Sequence, residues 1–168
     1  MESNIGMKKL YIIRHAKSSW KDLAADDFDR PLNKRGEKDA PFMGKILKKK
    51  GVKPDIIISS PALRAKTTAE VIAQEIGFKK PILYIEKIYE AEVEDIYDVV
   101  RNIDEKYKTV FIIGHNPGLN MFVESLAGFD ENIPTCGVVE LEIACKSNND
   151  INASCTKFIS FDYPKRYK

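Results

Sequence analysis

Two histidines and two arginines stand at points where buried strands are expected to end. The chain of 168 residues contains only two histidines. His15 follows Arg14 after one apolar run, His115 follows a second run, and Arg64 lies just beyond a third. The carboxyl ends of parallel strands share one edge of a sheet, where ligand sites usually lie, so we expect the four side chains to converge. Arginine forks bind phosphoryl oxygens and a neutral imidazole is a competent nucleophile, so this set predicts phosphoryl transfer.

Arg64 occupies an unusual position for a purely structural residue. It lies in the first turn of a predicted helix, where a positive charge opposes the helix dipole. A helix amino terminus with an added arginine is instead typical of an anion site. Taken singly, a histidine at a strand end or an arginine near a carboxylate has a simple structural explanation. Their coincidence at three strand ends favours one shared site.

Apolar runs and the spacing of apolar residues predict the elements that must position these residues. Buried strands are expected at 8–14, 55–60, 81–85 and 109–113, with helical spacing in the segments between them and after the last. Two further strands, 137–144 and 156–161, are separated by a polar turn and predict an antiparallel pair. The pattern indicates the α/β class: a three-layer α/β/α sandwich with a mainly parallel sheet and an antiparallel edge.

Two local features of the first half of the chain bear on this architecture. Asn33 is a good N-cap for a helix that runs to about Lys50. Pro41 lies inside that helix and predicts a kink or a later start. The segment 17–32 is a long polar loop with four aspartates, most of which we expect to be solvated. A loop of this length beside a site can also help to shape it.

Composition excludes several classes of protein. The chain is 43% hydrophobic and 31% charged, as expected for a globular domain, and its net charge of +2 is too small to predict binding to nucleic acid or membranes. We expect a flexible leader over 1–7 and a single domain over 8–168, acting as a monomer. The three cysteines predict reduced thiols and a cytoplasmic location, although Cys145 and Cys155 could face each other across a hairpin.

No carboxylate cluster with metal-ligand spacing is evident in the sequence. The positive charge that phosphoryl transfer needs must then come from side chains. We therefore expect no metal site and no cofactor.

The motifs around these four residues resemble those of the histidine phosphatase superfamily, which includes the phosphoglycerate mutases. The further segments that carry the resemblance are Ala16-Lys17-Ser18, Pro31–Gly36, Ser59–Ala65 with Thr67-Thr68, and Gly114–Pro117. This set is similar to the small SixA-type phosphohistidine phosphatases, and it spans Lys8 to about Gly128.

The resemblance implies a role for each site residue. His15 would be the nucleophile and become transiently phosphorylated, with its tautomer fixed by a hydrogen bond from the other ring nitrogen. Arg14, Arg64 and a protonated His115 would hold the phosphoryl oxygens. Candidate substrate-binding residues are Ser18, Lys17 and Asn116.

The sequence departs from the commoner family motif directly after the nucleophile. Ala16, Lys17 and Ser18 stand where many members have glycine, an acidic or amide residue and threonine. Ser18 could still donate a hydrogen bond to phosphate, and Lys17 adds a positive charge.

Many members also use a carboxylic acid to protonate the leaving group. Glu90 is the best candidate for this acid, with Glu92 and Glu94 as alternatives. An alkoxide leaving group needs such a proton, whereas the imidazole of phosphohistidine needs it less. The importance of Glu90 therefore depends on the substrate.

Chain length bears on the substrate class. No long insertion after the second strand is available to build a lid, which predicts a shallow, open pocket. Such a pocket suits a phosphorylated side chain on another protein, with phosphohistidine as the favoured substrate. The alternatives are a broad phosphomonoesterase acting on small phosphate esters, and a non-catalytic phosphate-binding module on the same fold. A nucleotide-binding protein ranks last, because the chain has neither a dinucleotide fingerprint nor a P-loop.

Overall fold

The fold is built on one mixed β-sheet. The computed structural model describes residues 5–22, 24 and 26–168, and in this part of the chain the sheet has six strands in the order β3-β2-β4-β1-β5-β6. The strands are β1 Lys9–Arg14, β2 Ile56–Ser59, β3 Leu83–Tyr84, β4 Thr109–Gly114, β5 Val138–Ile143 and β6 Thr156–Asp162. The helices are α1 Lys34–Lys49, α2 Leu63–Ile76, α3 Val93–Arg101 and α4 Gly118–Ala127.

Two apolar cores lie on opposite faces of the sheet. Along β1, Leu10 and Ile12 point into the core that contains α3 and α4, whereas Tyr11 and Ile13 point into the core that contains α1 and α2. This alternation follows from the two-residue period of a strand, and it explains why β1 reads as a continuous apolar run. The three-layer α/β/α architecture expected from the sequence is confirmed.

The strand register brings the candidate residues together. β1 and β4 pair in parallel, with Arg14 opposite Gly114, so His15 and His115 each follow the last pair of the ladder. β2 pairs in parallel with β4 on its other side, and Ser59 stands opposite Ile113. β5 and β6 form the expected antiparallel edge next to β1.

The helix α1 is uninterrupted, which corrects the kink or late start expected from Pro41. It begins at Lys34, and the side chain of Asn33 accepts a hydrogen bond from the Gly36 amide at 2.9 Å, as expected for the N-cap. Pro41 removes a single backbone donor, and the neighbouring Ala40 and Met43 are completely buried against the sheet. Packing of this face outweighs the local cost of the proline.

The amino-terminal leader and the cysteines also differ from expectation. Met7 is completely buried in the core that contains α3 and α4, so it belongs to the folded domain, and residues 1–4 of the expected leader lie outside the described residues. Cys145 and Cys155 form a disulfide and are therefore not the reduced thiols expected. The β5–β6 hairpin brings their Cα atoms to 4.9 Å, while Cys136 is free and buried.

None of the helices among the described residues combines the length and apolar character needed to cross a bilayer.

Candidate active site

The imidazole of His15 has a fixed tautomer. Its Nδ1 atom lies 2.7 Å from the carbonyl oxygen of Ala16, and because a carbonyl can only accept, Nδ1 carries the proton and Nε2 keeps its lone pair. The side chain is largely buried. Burial lowers the pKa of His15 to about 4, and the positive charges of Arg64 and Arg14 add to this effect against the opposing hydrogen bond to Ala16. At neutral pH, His15 is thus a neutral base with a free nitrogen.

His115 lies next to His15 and shares its electrostatic environment. The two ring centroids are 5.1 Å apart. Nε2 of His115 is 2.8 Å from the hydroxyl oxygen of Ser60, and its buried Nδ1 has no protein partner among the described residues. Burial lowers the pKa of His115 to about 3, and His15 and Arg64 lower it further. The structure therefore favours a neutral His115 over the protonated ring expected from the sequence.

Arg14 enters the site from the last residue of β1. Its Nη1 donates to the carbonyl oxygen of Ile133 at 3.0 Å, and its buried Nε has no partner among the described residues. The hydrogen bond anchors one end of the guanidinium to the loop before β5, which leaves Nε as a donor available to an anion.

Arg64 lies in the first turn of α2, as expected, and its side chain is almost fully buried. Its Nη1 donates to the backbone oxygen of Asp27 at 2.7 Å, and its Nη2 donates to Asp27 Oδ2 at 3.0 Å. The buried Nε atom again has no partner among the described residues. The charge that opposes the helix dipole is thus balanced by a carboxylate from the loop 17–32.

Asp27 is the centre of a hydrogen-bond network that the sequence did not reveal. Besides Arg64, its carboxylate accepts from the Tyr89 hydroxyl at 2.7 Å and from Arg30 Nε at 3.1 Å. Although burial raises the pKa of Asp27, these three donors together hold it at about 2. The carboxylate is therefore ionised at neutral pH, and Asp27 is not one of the merely solvated aspartates expected in this loop.

One sequence signal could have pointed to Asp27. Arg64 was expected in a helix turn where it needs a compensating anion, and the long loop beside it supplies four aspartates. Tyr89 carried no comparable signal. Its ring contacts that of His115 edge to face, with centroids 5.7 Å apart.

Several motif residues hold the chain directly after His15. The Ala16 amide donates to Thr68 Oγ1 at 3.0 Å, and the Asn33 amide donates to the Lys17 carbonyl at 3.0 Å. A Cβ atom at Gly36 would collide with that same carbonyl, which explains the glycine. These contacts fix the backbone that carries the Ala16 carbonyl, and hence the orientation of His15.

The three candidate substrate-binding residues have different surroundings. Ser18 is buried, and its hydroxyl oxygen accepts from Arg30 Nη1 at 2.8 Å. Lys17 is exposed at the surface. The side chain of Asn116 donates to the Ile133 carbonyl at 2.9 Å and accepts from the Asn120 amide at 3.0 Å, so both its nitrogen and its oxygen are hydrogen-bonded within the protein.

A cavity of about 410 Å³ opens beside Arg64 and His115, whereas Arg14 and His15 are not among its lining residues. Its lining residues are Asp27, Arg64, Tyr89, Glu90, Ala91, Glu92, Val93, His115, Asn116, Pro117, Gly118 and Met121. Glu90 is exposed at this cavity with a left-handed backbone, φ 56°. Glu92 is the N-cap of α3 and its side chain takes part in a capping box with Asp95, whereas Glu94 is exposed in the first turn of that helix and is not among the lining residues.

Among the described residues, no group of three or more histidine, cysteine, aspartate or glutamate side chains is arranged to hold a metal ion. The cationic groups of the site are arginines. The arrangement can bind an anion and present a nucleophilic nitrogen to it.

Comparison with protein families gives one match over most of the chain. Residues 10–112 match the family model described as histidine phosphatase superfamily (branch 1). Those residues include Arg14, His15 and Arg64, and they end three positions before His115.

Related sequences include proteins without a described activity. An uncharacterised chloroplastic protein of Arabidopsis thaliana is 35% identical over 144 residues, which are 80% of this chain and 66% of the relative. An uncharacterised protein of Mycobacterium tuberculosis is 29% identical over 164 residues, which are 91% of this chain and the full length of the relative. The chain thus spans slightly less than two thirds of the plant relative.

Solved structures with this fold include SixA proteins. The candidate phosphohistidine phosphatase SixA of Agrobacterium tumefaciens has a TM-score of 0.81 and 26% identity, with 94% of this chain and 99% of that chain covered. The protein histidine phosphatase SixA in complex with tungstate has a TM-score of 0.82 at 21% identity, covering 95% and 99% of the two chains. The second likeness shows the fold alone.

Proposed function

Because this chain belongs to the histidine phosphatase superfamily, a family of phosphatase enzymes, we propose that it is a metal-independent phosphatase that uses a phosphohistidine intermediate on His15. We propose phosphohistidine on proteins as its substrate. The observation that carries the proposal is the hydrogen bond from His15 Nδ1 to the Ala16 carbonyl, because it leaves Nε2 unprotonated and available for attack.

In the first step, the lone pair of His15 Nε2 forms a bond to phosphorus and the bond to the leaving group breaks. Arg14, Arg64 and His115 donate hydrogen bonds to the phosphoryl oxygens, on which negative charge is spread in the transition state. The proton on Nδ1 stays in its hydrogen bond to Ala16, so the phosphorylated ring carries a positive charge. That charge makes the ring a good leaving group in the next step.

In the second step, a water oxygen forms a bond to phosphorus and the bond between phosphorus and Nε2 breaks. The electron pair of that bond returns to Nε2, which restores the neutral imidazole. Both water protons leave with the phosphate, as dihydrogen phosphate. The same arginines hold the phosphoryl group through both steps, so no rearrangement of the site is needed.

The choice of substrate rests on the shape of the cavity and on the structural neighbours. The cavity is open and lies at the carboxyl edge of the sheet, where a side chain on a protein surface can reach it. The SixA structures share the fold over nearly the whole chain, and the one that is 26% identical is described as a candidate phosphohistidine phosphatase. Both points support a phosphorylated side chain as the substrate.

The proposal is tested by a paired assay in the presence of a chelator. One substrate is a protein carrying phosphohistidine, and the other is a generic aryl phosphate. We expect strong turnover of the first and little turnover of the second. The reverse result would contradict the substrate, and binding of phosphate without turnover or a phosphoenzyme would contradict the enzyme.

A second candidate function is hydrolysis of phosphate esters. Glu90 lines the cavity and could protonate an alkoxide leaving group. A relative from Drosophila simulans is named serine/threonine-protein phosphatase Pgam5, mitochondrial; it is 34% identical over 73 residues, which are 44% of this chain and 25% of the relative. Ester turnover that is lost in Glu90→Gln would favour this second function.

We also propose that residues 8–168, together with Met7, form a single domain. The protein is proposed to be a monomer located in the cytoplasm. The Cys145–Cys155 disulfide is a bond more typical of oxidising compartments, so the cytoplasmic location needs a direct test. Cell fractionation and light scattering of the purified protein test location and oligomeric state.

A further inference from the structure

Asp27 is the carboxylate that stands nearest to the proposed phosphoryl-binding arginine. It lines the cavity with Arg64 and His115, and its Oδ2 lies 3.0 Å from Arg64 Nη2. It lies on a short 3-10 turn, Asp27–Asp29, which is part of the loop between β1 and α1. Asp27 therefore lies in the same cavity as two of the residues proposed to bind the phosphoryl group.

The carboxylate of Asp27 can accept a further hydrogen bond from a ligand. Oδ2 accepts from Arg64 and Tyr89, whereas the structure gives Oδ1 the single donor Arg30. A carboxylate offers about four accepting positions, so one remains at Oδ1. The side chain is 44% exposed and lines the cavity, so the carboxylate can be reached by a ligand there.

The charges around the cavity favour a substrate that brings its own positive charge. Among the described lining residues, Asp27, Glu90 and Glu92 are acidic, and Arg64 is the only one that carries a positive charge, because His115 is neutral. A phosphoryl group is itself negative, so this lining would repel a leaving group that develops further negative charge. It would attract a protonated nitrogen base.

From this geometry we infer that Asp27 is a specificity-determining residue, which favours phosphoramidates with a positively charged leaving group over phosphate esters of alcohols. The inference rests on the proposed phosphatase function and refines its substrate class. Asp27 would accept a hydrogen bond from the N–H of the leaving group. Its low pKa, about 2, supports this role because a carboxylate that stays ionised can act as a counter-ion but not as a proton donor.

The chemistry of the two leaving groups explains the preference. In a phosphohistidine whose ring is protonated, the bond from phosphorus to nitrogen breaks and its electron pair cancels the positive charge of the ring. Neutral imidazole leaves with its own proton, and no acid is needed. In a phosphate ester, the electron pair leaves on oxygen and forms an alkoxide. The alkoxide needs a proton, which ionised Asp27 cannot supply. The negative charge of Asp27 also repels that of the alkoxide.

The test compares two peptides of identical sequence, one with phosphohistidine and one with phosphoserine at the same position. For the wild-type protein we expect a higher kcat/KM on the phosphohistidine peptide than on the phosphoserine peptide. The ratio of the two values should exceed the ratio of the two rates of hydrolysis without enzyme. In Asp27→Asn, which keeps the shape and removes the charge, we expect this preference to fall by about tenfold, as for loss of a hydrogen bond between charged groups. Asp27→Glu should retain more of the preference than Asp27→Asn.

The matched control is Asp29→Asn, an exposed carboxylate two residues further along the same turn. Its kcat/KM on both peptides should stay at the wild-type value. A phosphoarginine peptide tests whether the preference extends to another protonated nitrogen base, as the inference requires.

The outcomes distinguish an error in the role of Asp27 from an error in the proposed phosphatase function. If Asp27→Asn lowers kcat/KM equally on both peptides, Asp27 only positions Arg64 and the inference is wrong. If the wild-type protein hydrolyses neither peptide, the proposed function itself is wrong. Circular dichroism and the melting temperature of each variant show that the comparison is between folded proteins.

Discussion

The rings of His15 and His115 lie 5.1 Å apart between centroids because their strands end side by side in the sheet. Each ring meets a different neighbour: His15 donates to the Ala16 carbonyl, and His115 contacts Ser60. Burial is the main reason that the pKa of each ring is lowered, and the positive charge of Arg64 adds to the effect on both rings. Both rings are therefore neutral at neutral pH, and the positive charge that attracts an anion comes from the arginines.

Replacement of His15 by glutamine should abolish the phosphoenzyme. The amide can fill most of the space of the ring but has no nucleophilic nitrogen, so we expect turnover to fall by at least about a thousandfold. Incubation with a radiolabelled phosphohistidine protein, followed by quenching in alkali, measures the phosphoenzyme. A His15→Gln protein with wild-type turnover would show that another residue is the nucleophile.

The pH profile of kcat/KM should have its acid limb well below the usual range of histidine. Protonation of Nε2 removes the attacking lone pair, and the pKa of His15 is lowered to about 4 in the folded protein. Activity should therefore be retained from neutral pH down to about pH 5 and be lost as the pH falls through about 4. An acid limb centred near 6.5 would contradict the environment found for His15. The ring nitrogen chemical shifts of labelled protein give an independent titration.

The free energy of unfolding should decrease as the pH is lowered from about 6.5 towards 4. In this interval the unfolded chain binds protons on both histidines, whose ordinary pKa is 6.5, while the folded protein does not, because both pKa values are lowered. The stabilisation is present above the unfolded pKa and is lost on acidification. Urea denaturation at pH 7.5 and pH 5 measures the difference.

The control for this stability prediction is His115→Gln. Glutamine does not titrate, so the dependence of unfolding on pH between 6.5 and 4 should become weaker than in the wild-type protein. An unchanged slope would indicate that other groups cause the pH dependence.

Glu90→Gln should distinguish the two candidate functions. Glu90 is exposed at the cavity, where a carboxylic acid could protonate an alkoxide, whereas a protonated imidazole leaves without this help. We expect the variant to retain phosphohistidine hydrolysis and to lose whatever ester hydrolysis the wild-type protein shows. Glu94→Gln, at a carboxylate outside the cavity lining, is the matched control. Equal loss on both substrates in Glu90→Gln would contradict the proposed substrate class.

The convergence of the site could be predicted from sequence because it depends on strand ends. Apolar runs located β1 and β4, and the geometry of parallel sheets then placed His15 beside His115. The cap at Asn33 could be predicted as well, because one side chain and one nearby amide determine it.

Other parts of the site could not be predicted because they depend on contacts between distant segments. The Ala16 carbonyl that orients His15 carries no sequence signal, since every residue has a carbonyl. The network of Asp27 requires the loop 17–32 to fold back onto Arg64 and Tyr89, which are 37 and 62 residues away. The lowered pKa of His115 arises from burial, which its position at a strand end did not reveal.

The parallel register of β1 and β4 also limits where this chain can change in length. Arg14 stands opposite Gly114, so one residue inserted into either strand would displace one histidine by about 3.3 Å along the sheet and turn it to the opposite face. Insertions at the exposed residues 152–154, in the turn between β5 and β6 at the opposite end of the sheet from the histidines, would leave both histidines in place. Natural variants of this protein should therefore tolerate gaps there and exclude them from the two central strands.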